Sequence, residues 1–456
     1  MTSSVGVSPA PVTRAPTVQR AGPLSRLDTA TTPRKLGLLL VGLVVLSLAW
    51  GVLAALTAEQ HASAAANVVA VSEPLSLDAE QIYQSLSDAE ATAATAFLSG
   101  GLEPAADLQR YNADIAQAAI RIEEASALLG SSAARAQLPG HLNKQAATAG
   151  SSTGADLATL SAGLPVYADE VGTARADNRL GYPLGAAYLR EASTLLRGTL
   201  LTAASDIYTK ESGLLTSASA QATGLPLIVI TGVIGLGLGY LLYRSSRWLT
   251  RRTHRRVNYG LLVAGVAFAV SLVWLAGAFA FGRAELLHAQ QRGSAPAEAS
   301  ARADVAALQA HADESLTLID NSGVYSYQQD FVVQQKLLGP GPGTLLAAVQ
   351  ASAGNGSAAS DAQAWYRAHA AVRALDDGGN HTAAVQSALY GQAASTFARL
   401  SADLTDGINA HQAVFASDAR DGRDAFTGLA VGMIVASLIM AAGCTWGLNR
   451  RRAEYR

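Results

Sequence analysis

Residues 225–281 decide the fold. They read LPLIVITGVIGLGLGYLLY (225–243), RSSRWLTRRTHRRVN (244–258) and YGLLVAGVAFAVSLVWLAGAFAF (259–281). Each apolar run is long enough to cross the roughly 30 Å hydrocarbon core of a bilayer as a helix. The loop between them carries six arginines and no acidic residue, and short arginine-rich loops stay on the cytoplasmic side. The stretch therefore predicts a transmembrane hairpin whose turn faces the cytoplasm.

Two further apolar runs, one on each side of this hairpin, predict two more spans. A cleaved signal peptide is the alternative for the first run, but the run is too long for a signal sequence and thirty-odd residues precede it. We predict this order: a disordered cytoplasmic tail (1–33), a transmembrane helix (34–57), an extracytoplasmic helical bundle (58–224), a second transmembrane helix (225–243), a basic cytoplasmic loop (244–258), a third transmembrane helix (259–282), a second extracytoplasmic bundle (283–426), a fourth transmembrane helix (427–448) and a basic cytoplasmic tail (449–456).

Charge separates along this order. The three predicted cytoplasmic pieces, counted together with Arg34 and Lys35 at the start of the first span, carry 15 of the 33 basic residues and only 2 of the 35 acidic ones. All three pieces lie on one side of the membrane only if there are four spans and both termini are cytoplasmic. The pattern predicts a multi-pass protein of the cell membrane.

The two long segments between spans are predicted to be helical bundles. We call residues 58–224 the first segment and residues 283–426 the second segment. Both are rich in alanine, carry apolar residues at helical spacing and are interrupted by glycine-containing turns. LSDAEATAATAFL (86–98) resembles LQAHADESLTLID (308–320), which suggests a diverged duplication. The fold prediction is an all-α membrane protein with four transmembrane helices and two tandem extracytoplasmic four-helix-bundle domains.

No motif for nucleotide binding, metalloprotease chemistry, a nucleophile elbow or a thiol pair occurs in the sequence. We therefore expect no enzymatic activity, no metal and no cofactor. Trp365 and His369 are expected on a packed helix face. The carboxylates Asp313 and Glu314 are adjacent, so they point different ways on a helix, and both are expected to be solvated.

The predicted spans also lack ionisable residues in their middle, which argues against a proton-coupled transporter. Gly235 and Gly239 lie four residues apart in the second predicted span, as do Gly428 and Gly432 in the fourth. Such spacing is typical of close helix packing, although spans rich in small residues also produce it by chance.

Candidate interaction residues lie at the ends of the bundles farthest from the membrane. Arginine and tyrosine on exposed turns are typical of interface hot spots. We predict a partner-binding surface composed of Arg175, Asn178, Arg179 and Tyr182 in the first segment and Tyr325 and Tyr327 in the second. The alternative, an ordinary turn with solvated side chains, stays open. Two roles are open for the arginines of the basic loop. They either set the membrane topology and contact lipid, or they bind an acidic or phosphorylated cytoplasmic partner. The candidates are Arg247, Arg251, Arg252, Arg255 and Arg256.

A resemblance to a known protein family rests on two stretches within the two tandem units of span, bundle and span. They are ARADNRLGYPLGAAYLREAS (174–193) and AWYRAHAAVRALDDGGNHTAAV (364–385). Over about residues 35–450 the chain resembles the actinobacterial GlnX-type four-span membrane proteins, which are associated with a glutamine-binding-type lipoprotein and the serine/threonine kinase G. The resemblance implies a relay from an extracytoplasmic solute-binding lipoprotein to a cytoplasmic kinase in sensing glutamate, glutamine or aspartate.

Each half also resembles, more loosely, the sensor part of a chemoreceptor, without the signalling helices that follow there. The alternatives are a direct small-molecule sensor of chemoreceptor type, a permease or an accessory subunit of an amino-acid transporter, and a structural envelope protein. We expect membrane lipids but no nucleic acid among the partners, and a homodimer is left open.

Overall fold

The computed structural model describes residues 32–67, 73–101, 103–136, 144–223, 226–253, 258–320, 326–351 and 357–453. Every secondary-structure element within these ranges is helical, which confirms the all-α prediction. The predicted disordered tail lies outside the described residues except for residues 32 and 33. The helices are α1 (Thr32–Asn67), α2 (Glu73–Leu98), α3 (Ala105–Ala136), α4 (Lys144–Arg179), α5 (Leu184–Leu195), α6 (Leu201–Thr223), α7 (Pro226–Thr253), α8 (Tyr259–His288), α9 (Ala295–Asp320), α10 (Ser326–Leu338), α11 (Leu345–Ala351), α12 (Ala358–Asp377), α13 (His381–Tyr390), α14 (Gln392–Asp424) and α15 (Leu429–Ala453).

Two π-helical segments join consecutive helices without a break. The first, Leu196–Leu200, connects α5 to α6, and the second, Ala289–Ser294, connects α8 to α9. As a result, Tyr259–Asp320 forms one helix of 62 residues. A bilayer needs only about 20 residues of helix. The apolar part of this helix is the predicted third span, so the charged residues of α9 lie outside the spanning segment.

The chain divides into two compact units. The span unit comprises Met1–Ala54, Ile230–Val273 and Val431–Arg456, and the helical unit comprises Ala55–Val229 and Trp274–Ala430. Four helices in the described part of the chain are long and apolar enough to cross a membrane, one for each predicted span. This confirms the prediction of an all-α protein with four candidate transmembrane helices.

Close contacts at glycine organise the span unit. The fully buried Trp50 places its ring against Gly235 and meets Phe268 edge-on at 5.6 Å between ring centroids. A Cβ added to Gly260 would lie 2.4 Å from the Cα of Gly447, so these two backbones touch. Gly443 also lies against Gly260, and its GxxxG spacing with Gly447 is typical of close helix approach in membranes.

Of the predicted glycine pairs, the one in the second span makes such contacts. Gly235 receives the Trp50 ring and Gly239 faces Phe268. Gly428 instead lies in the turn between α14 and α15 with a φ of 74°, a conformation that favours glycine. The small-residue packing in the last span comes from Gly443 and Gly447, which the sequence analysis did not single out.

The helical unit contains two hydrophobic cores. The first is formed mainly by α2 to α6 and includes the fully buried Tyr167 and Leu200. The second is formed mainly by α9 to α14 and includes Phe331 and Trp365. The two cores share helices, because Leu316 of α9 packs in the first core and Ala91 of α2 packs in the second. The two predicted bundles therefore pack directly against each other.

Helices α2 and α9 form the seam between the two segments. They are dense in buried alanine, with Ala89, Ala93, Ala303 and Ala307 among the least exposed residues. Small side chains let two helices approach closely, and a helix buried all round lies inside a domain rather than on its surface. The two stretches that resemble each other in sequence, 86–98 and 308–320, lie on these two contacting helices.

Candidate functional site

The end of α4 forms a turn that is fixed by its own backbone. Gly181 has a φ of 72°, the Gly181 amide donates to the Asn178 carbonyl, and the Tyr182 amide donates to the Asp177 carbonyl. This pair of bonds is a Schellman motif, which terminates a helix with glycine in the left-handed region. We call residues 178–184 the tip turn.

The tip turn exposes apolar side chains on a rigid base. Leu180, Tyr182 and Leu184 are exposed to 66, 57 and 56 per cent. Such neighbouring apolar residues in water are typical of interaction sites rather than of isolated surface residues. The predicted candidate Tyr182 is therefore available to a partner, together with two leucines that the sequence analysis did not single out.

Two of the predicted candidates support this turn instead of facing solvent. The Asn178 side-chain amide donates to the Phe97 carbonyl at 2.9 Å, which satisfies a carbonyl in the last turn of α2. The Arg175 guanidinium lies 4.0 Å from the Tyr111 ring centroid and 3.0 Å from a Glu103 carboxylate oxygen. Both side chains therefore hold the tip turn against neighbouring helices.

The remaining candidate of the first segment stays exposed. The Arg179 side chain is 58 per cent exposed, and its guanidinium lies 3.9 Å from the Glu103 carboxylate. In the second segment, Tyr325 lies outside the described residues. Tyr327, at the start of α10, is partly buried against the first core. Burial raises the pKa of its phenol.

Only part of the basic loop is described. Arg247 lies in α7 and donates to the Tyr243 hydroxyl at 2.9 Å. Arg251 and Arg252 belong to the last turns of α7, but their side chains lie outside the described set, and Arg255 and Arg256 lie outside the described residues altogether. The structure therefore describes no surface for the loop as a whole.

A charged network crosses the seam between the segments. The Arg197 guanidinium donates to a Glu90 carboxylate oxygen and to an Asp313 carboxylate oxygen, each at 2.7 Å. Ser193 also donates to Glu90. Glu90 and Asp313 are 4 and 0 per cent exposed in their side chains. One guanidinium thus faces two buried carboxylates, one on α2 and one on α9.

This network sets two buried carboxyl groups against one guanidinium. Burial raises the pKa of Asp313 to about 7, although Arg197 acts in the opposite direction, and the charge of Glu90 adds to the increase. Burial acts to lower the pKa of Arg197, but the charges and hydrogen bonds of Glu90 and Asp313 outweigh it and raise the pKa, so the guanidinium stays charged. Arg197 belongs to the first π-helical segment, and π-helical insertions in helices frequently occur at functional sites.

Asp304 is a second buried acid at the seam. It is 1 per cent exposed and accepts hydrogen bonds from Gln84 of α2 at 2.6 Å and from Ser401 of α14 at 3.2 Å. Burial raises its pKa to about 7 despite these bonds. The two segments are therefore held together partly by polar groups that carry little or no charge below neutral pH.

Glu314 is also buried, next to Asp313 in the sequence. Its two oxygens lie 2.8 Å from His369 Nδ1 and 3.3 Å from His311 Nδ1. Burial acts to raise its pKa, but the hydrogen bonds from the two histidines outweigh it and bring the pKa down to about 2. The prediction that Asp313 and Glu314 are solvated is wrong, because Arg197 and His369, which come from distant parts of the chain, pack against them. The packed face predicted for Trp365 and His369 is confirmed by their burial.

Two neighbouring cavities open along the seam. One, of about 450 Å³, is bordered by Arg197, Asp206 and Asp330. The other, of about 380 Å³, is bordered by Glu80, Tyr208 and Glu298 among others. The two cavities share four lining residues, namely Tyr83, Ser205, Gln309 and Gln334. Both are within the size range of small-molecule sites.

The first segment resembles a known kind of sensor. Residues 64–220 match the family model of the actinobacterial sensor domain. The match covers about a third of the chain and includes α2 to α5 with most of α6. No curated protein and no solved structure matches the chain.

The sensor-domain match includes the tip turn and one side of the seam. Glu90 and Arg197 lie within the matched residues, whereas their partner Asp313 lies outside them. The match points to a sensing or signalling role for the first segment. In the described part of the chain, no cluster of three or more histidine, cysteine or acidic side chains is arranged to hold a metal ion.

Proposed function

We propose that this protein is a transmembrane signalling relay. It couples an extracytoplasmic amino-acid-binding lipoprotein to a cytoplasmic serine/threonine kinase and takes part in sensing glutamate, glutamine or aspartate. The observation that supports this best is the sensor-domain match over a segment with an exposed, rigid tip turn. The proposal assigns the chain no enzymatic activity.

The relay requires a defined topology. We propose that both termini and the loop 244–258 lie in the cytoplasm, because the basic residues concentrate in these pieces. Reporter fusions at residues 150, 246, 354 and 456 are expected to report outside, inside, outside and inside. A cytoplasmic signal at residue 150 or 354 would overturn this topology.

The lipoprotein is proposed to dock on the tip turn. Replacing Arg179 and Tyr182 together by alanine should weaken this association by at least about 30-fold, equal to roughly 2 kcal/mol, if both act as hot spots. The measurement is binding of the purified lipoprotein to the full chain in nanodiscs, with circular dichroism to verify helicity.

Tyr390 provides the matched control for this experiment. Tyr390 is 68 per cent exposed and Tyr182 is 57 per cent exposed, so the two residues are similarly accessible. Tyr390, however, lies at the end of α13 in the second segment. Tyr390→Ala should leave the affinity unchanged. If the Arg179 and Tyr182 double variant also binds normally, the tip turn is not the docking surface.

The inner side of the relay is proposed to use the basic loop. Arginine guanidinium groups form bidentate hydrogen bonds with phosphate and carboxylate groups. An acidic or phosphorylated surface of the kinase is therefore complementary to this loop. Photo-crosslinking from residue 246 in intact cells tests the contact, and labelling of lipids without the kinase would contradict it.

A further inference from the structure

The 380 Å³ cavity combines carboxylates with an apolar wall. Its lining comes from α2 and α6 on one side of the seam and from α9, α10 and α11 on the other. Val305, Leu337 and Leu345 supply apolar surface, and Tyr83 and Tyr208 supply two aromatic rings. A cation is attracted to the faces of aromatic rings, and the negative charge of a neighbouring carboxylate adds to that attraction.

Glu80 is the group in this cavity that lacks a partner. Its Oε1 atom is buried and has no hydrogen-bond partner among the described residues. A buried polar atom left unpaired is costly, so its presence calls for an explanation. A ligand that donates a hydrogen bond would satisfy it.

The charged neighbours of Glu80 do not satisfy it. Arg302 pairs with Glu298 at 3.1 Å, and burial, followed by the charge of Glu298, raises the pKa of the Tyr208 phenol. Among the described lining residues, Arg302 therefore pairs with Glu298. Glu80 is left as an acidic group that favours a positively charged ligand.

We propose that this cavity binds an organic ammonium cation, with the Glu80 carboxylate as its counter-ion and the apolar wall against its hydrocarbon part. The inference rests on the sensing role proposed for the chain but not on the relay through a lipoprotein. Free glutamate or aspartate, which carry net negative charge, would be poor ligands for this cavity.

Binding should depend on pH in a defined direction. Burial, followed by the charge of Glu298, raises the pKa of Glu80 to about 8. The charged and titratable groups that face it are Glu298 and Arg302 on α9, Tyr208 on α6 and Tyr83 on α2. Below pH 8 the carboxyl must release a proton before it can pair with a cation. Affinity should therefore rise about tenfold per pH unit from pH 6 toward 8 and level off above it.

The test compares three probes of equal chain length on the full chain in nanodiscs, namely n-butylammonium, n-butanoate and n-butanol. Calorimetric titration at pH 8 is expected to show binding of n-butylammonium only. Glu80→Gln, which keeps the shape of the protonated side chain, should weaken this binding at least tenfold.

Asp114→Asn is the matched control. Asp114 also has a buried unpaired oxygen and a pKa raised to about 7 by burial, but it does not border the cavity. This variant should bind n-butylammonium as the wild type does. Equal binding of n-butanoate or n-butanol, or full affinity in Glu80→Gln, would overturn the proposal.

Two further measurements keep the test decisive. If Glu80→Gln does not fold, the pH profile of the wild type and the comparison of the three probes still decide the matter, since a flat profile contradicts the role of Glu80. Loss of lipoprotein binding in the tip-turn variant is measured separately, so failure of the relay and failure of this cavity are distinguishable.

Discussion

Replacing Arg197 by methionine is expected to lower the opening free energy of α9 by about 3 kcal/mol at pH 8. Methionine keeps much of the apolar stem but leaves Glu90 and Asp313 buried without a counter-ion. Removing one partner of a buried ion pair typically costs about 3–5 kcal/mol. Hydrogen exchange of α2 and α9 in the full chain measures the effect, and about a hundredfold loss of protection is expected.

The size of this effect should depend on pH. A carboxyl whose pKa is raised in the folded state binds its proton more tightly there than in the unfolded state. It therefore favours folding as the pH falls from about 7 toward its unfolded pKa of 3.8. In Arg197→Met, protonation of Asp313 removes a buried unpaired charge, so the loss of protection should be smaller at pH 5.5 than at pH 8.

Arg190→Met is the matched control. Arg190 pairs with Asp320 at 2.6 Å, and this pair also joins the first segment to α9. The Arg190 and Asp320 side chains are 43 and 8 per cent exposed, against 25 and 0 per cent for Arg197 and Asp313. An ion pair with a solvent-exposed partner contributes about 1 kcal/mol or less, so Arg190→Met should lose less protection than Arg197→Met. If both variants change protection equally, or if Arg197→Met shows no pH dependence, the seam does not depend on the buried charges.

The helices and their turns could be predicted from sequence because their causes are local. Gly100, Gly181 and Gly379 all have positive φ, and each lies in a glycine-containing turn of the kind that the sequence predicts between helices. Apolar spacing then fixes which face of each helix is buried, as for Trp365 and His369. The four spans follow from length and composition alone.

The seam could not be predicted because its causes are not local. Glu90 and Asp313 look like surface residues within their own helices, and only the packing of α2 on α9 gives them a common partner. One signal was present in the sequence: α2 carries alanine at positions 89, 91, 93, 94 and 96. A helix so dense in small side chains lets neighbouring helices approach closely, and this density points to packing against more than one helix.

The tip turn could likewise be predicted only in part from the sequence. Its glycine and its exposed tyrosine follow from turn chemistry. The supporting roles of Asn178 and Arg175 depend on Phe97, Glu103 and Tyr111 of other helices. Residue type therefore identified the right stretch, whereas which side chains face solvent required the packed structure.

The second large effect is expected in the core of the second segment, at His369. His369→Ala removes a hydrogen bond to the fully buried Glu314 and a ring stacked on Phe331 at 3.6 Å between centroids. Because the pKa of Glu314 is about 2, the carboxylate stays charged at neutral pH. It would then depend on His311 alone.

We expect His369→Ala to lower the opening free energy of α12 by about 3 kcal/mol, the typical cost of depriving a buried charge of one partner. His381 offers the same chemistry near the surface, since its Nδ1 lies 2.8 Å from an Asp376 oxygen and its side chain is 38 per cent exposed. His381→Ala should therefore cost about 1 kcal/mol or less. Hydrogen exchange across Ala358–Asp377 compares the two variants, and equal losses would show that burial of the carboxylate is not what stabilises this core.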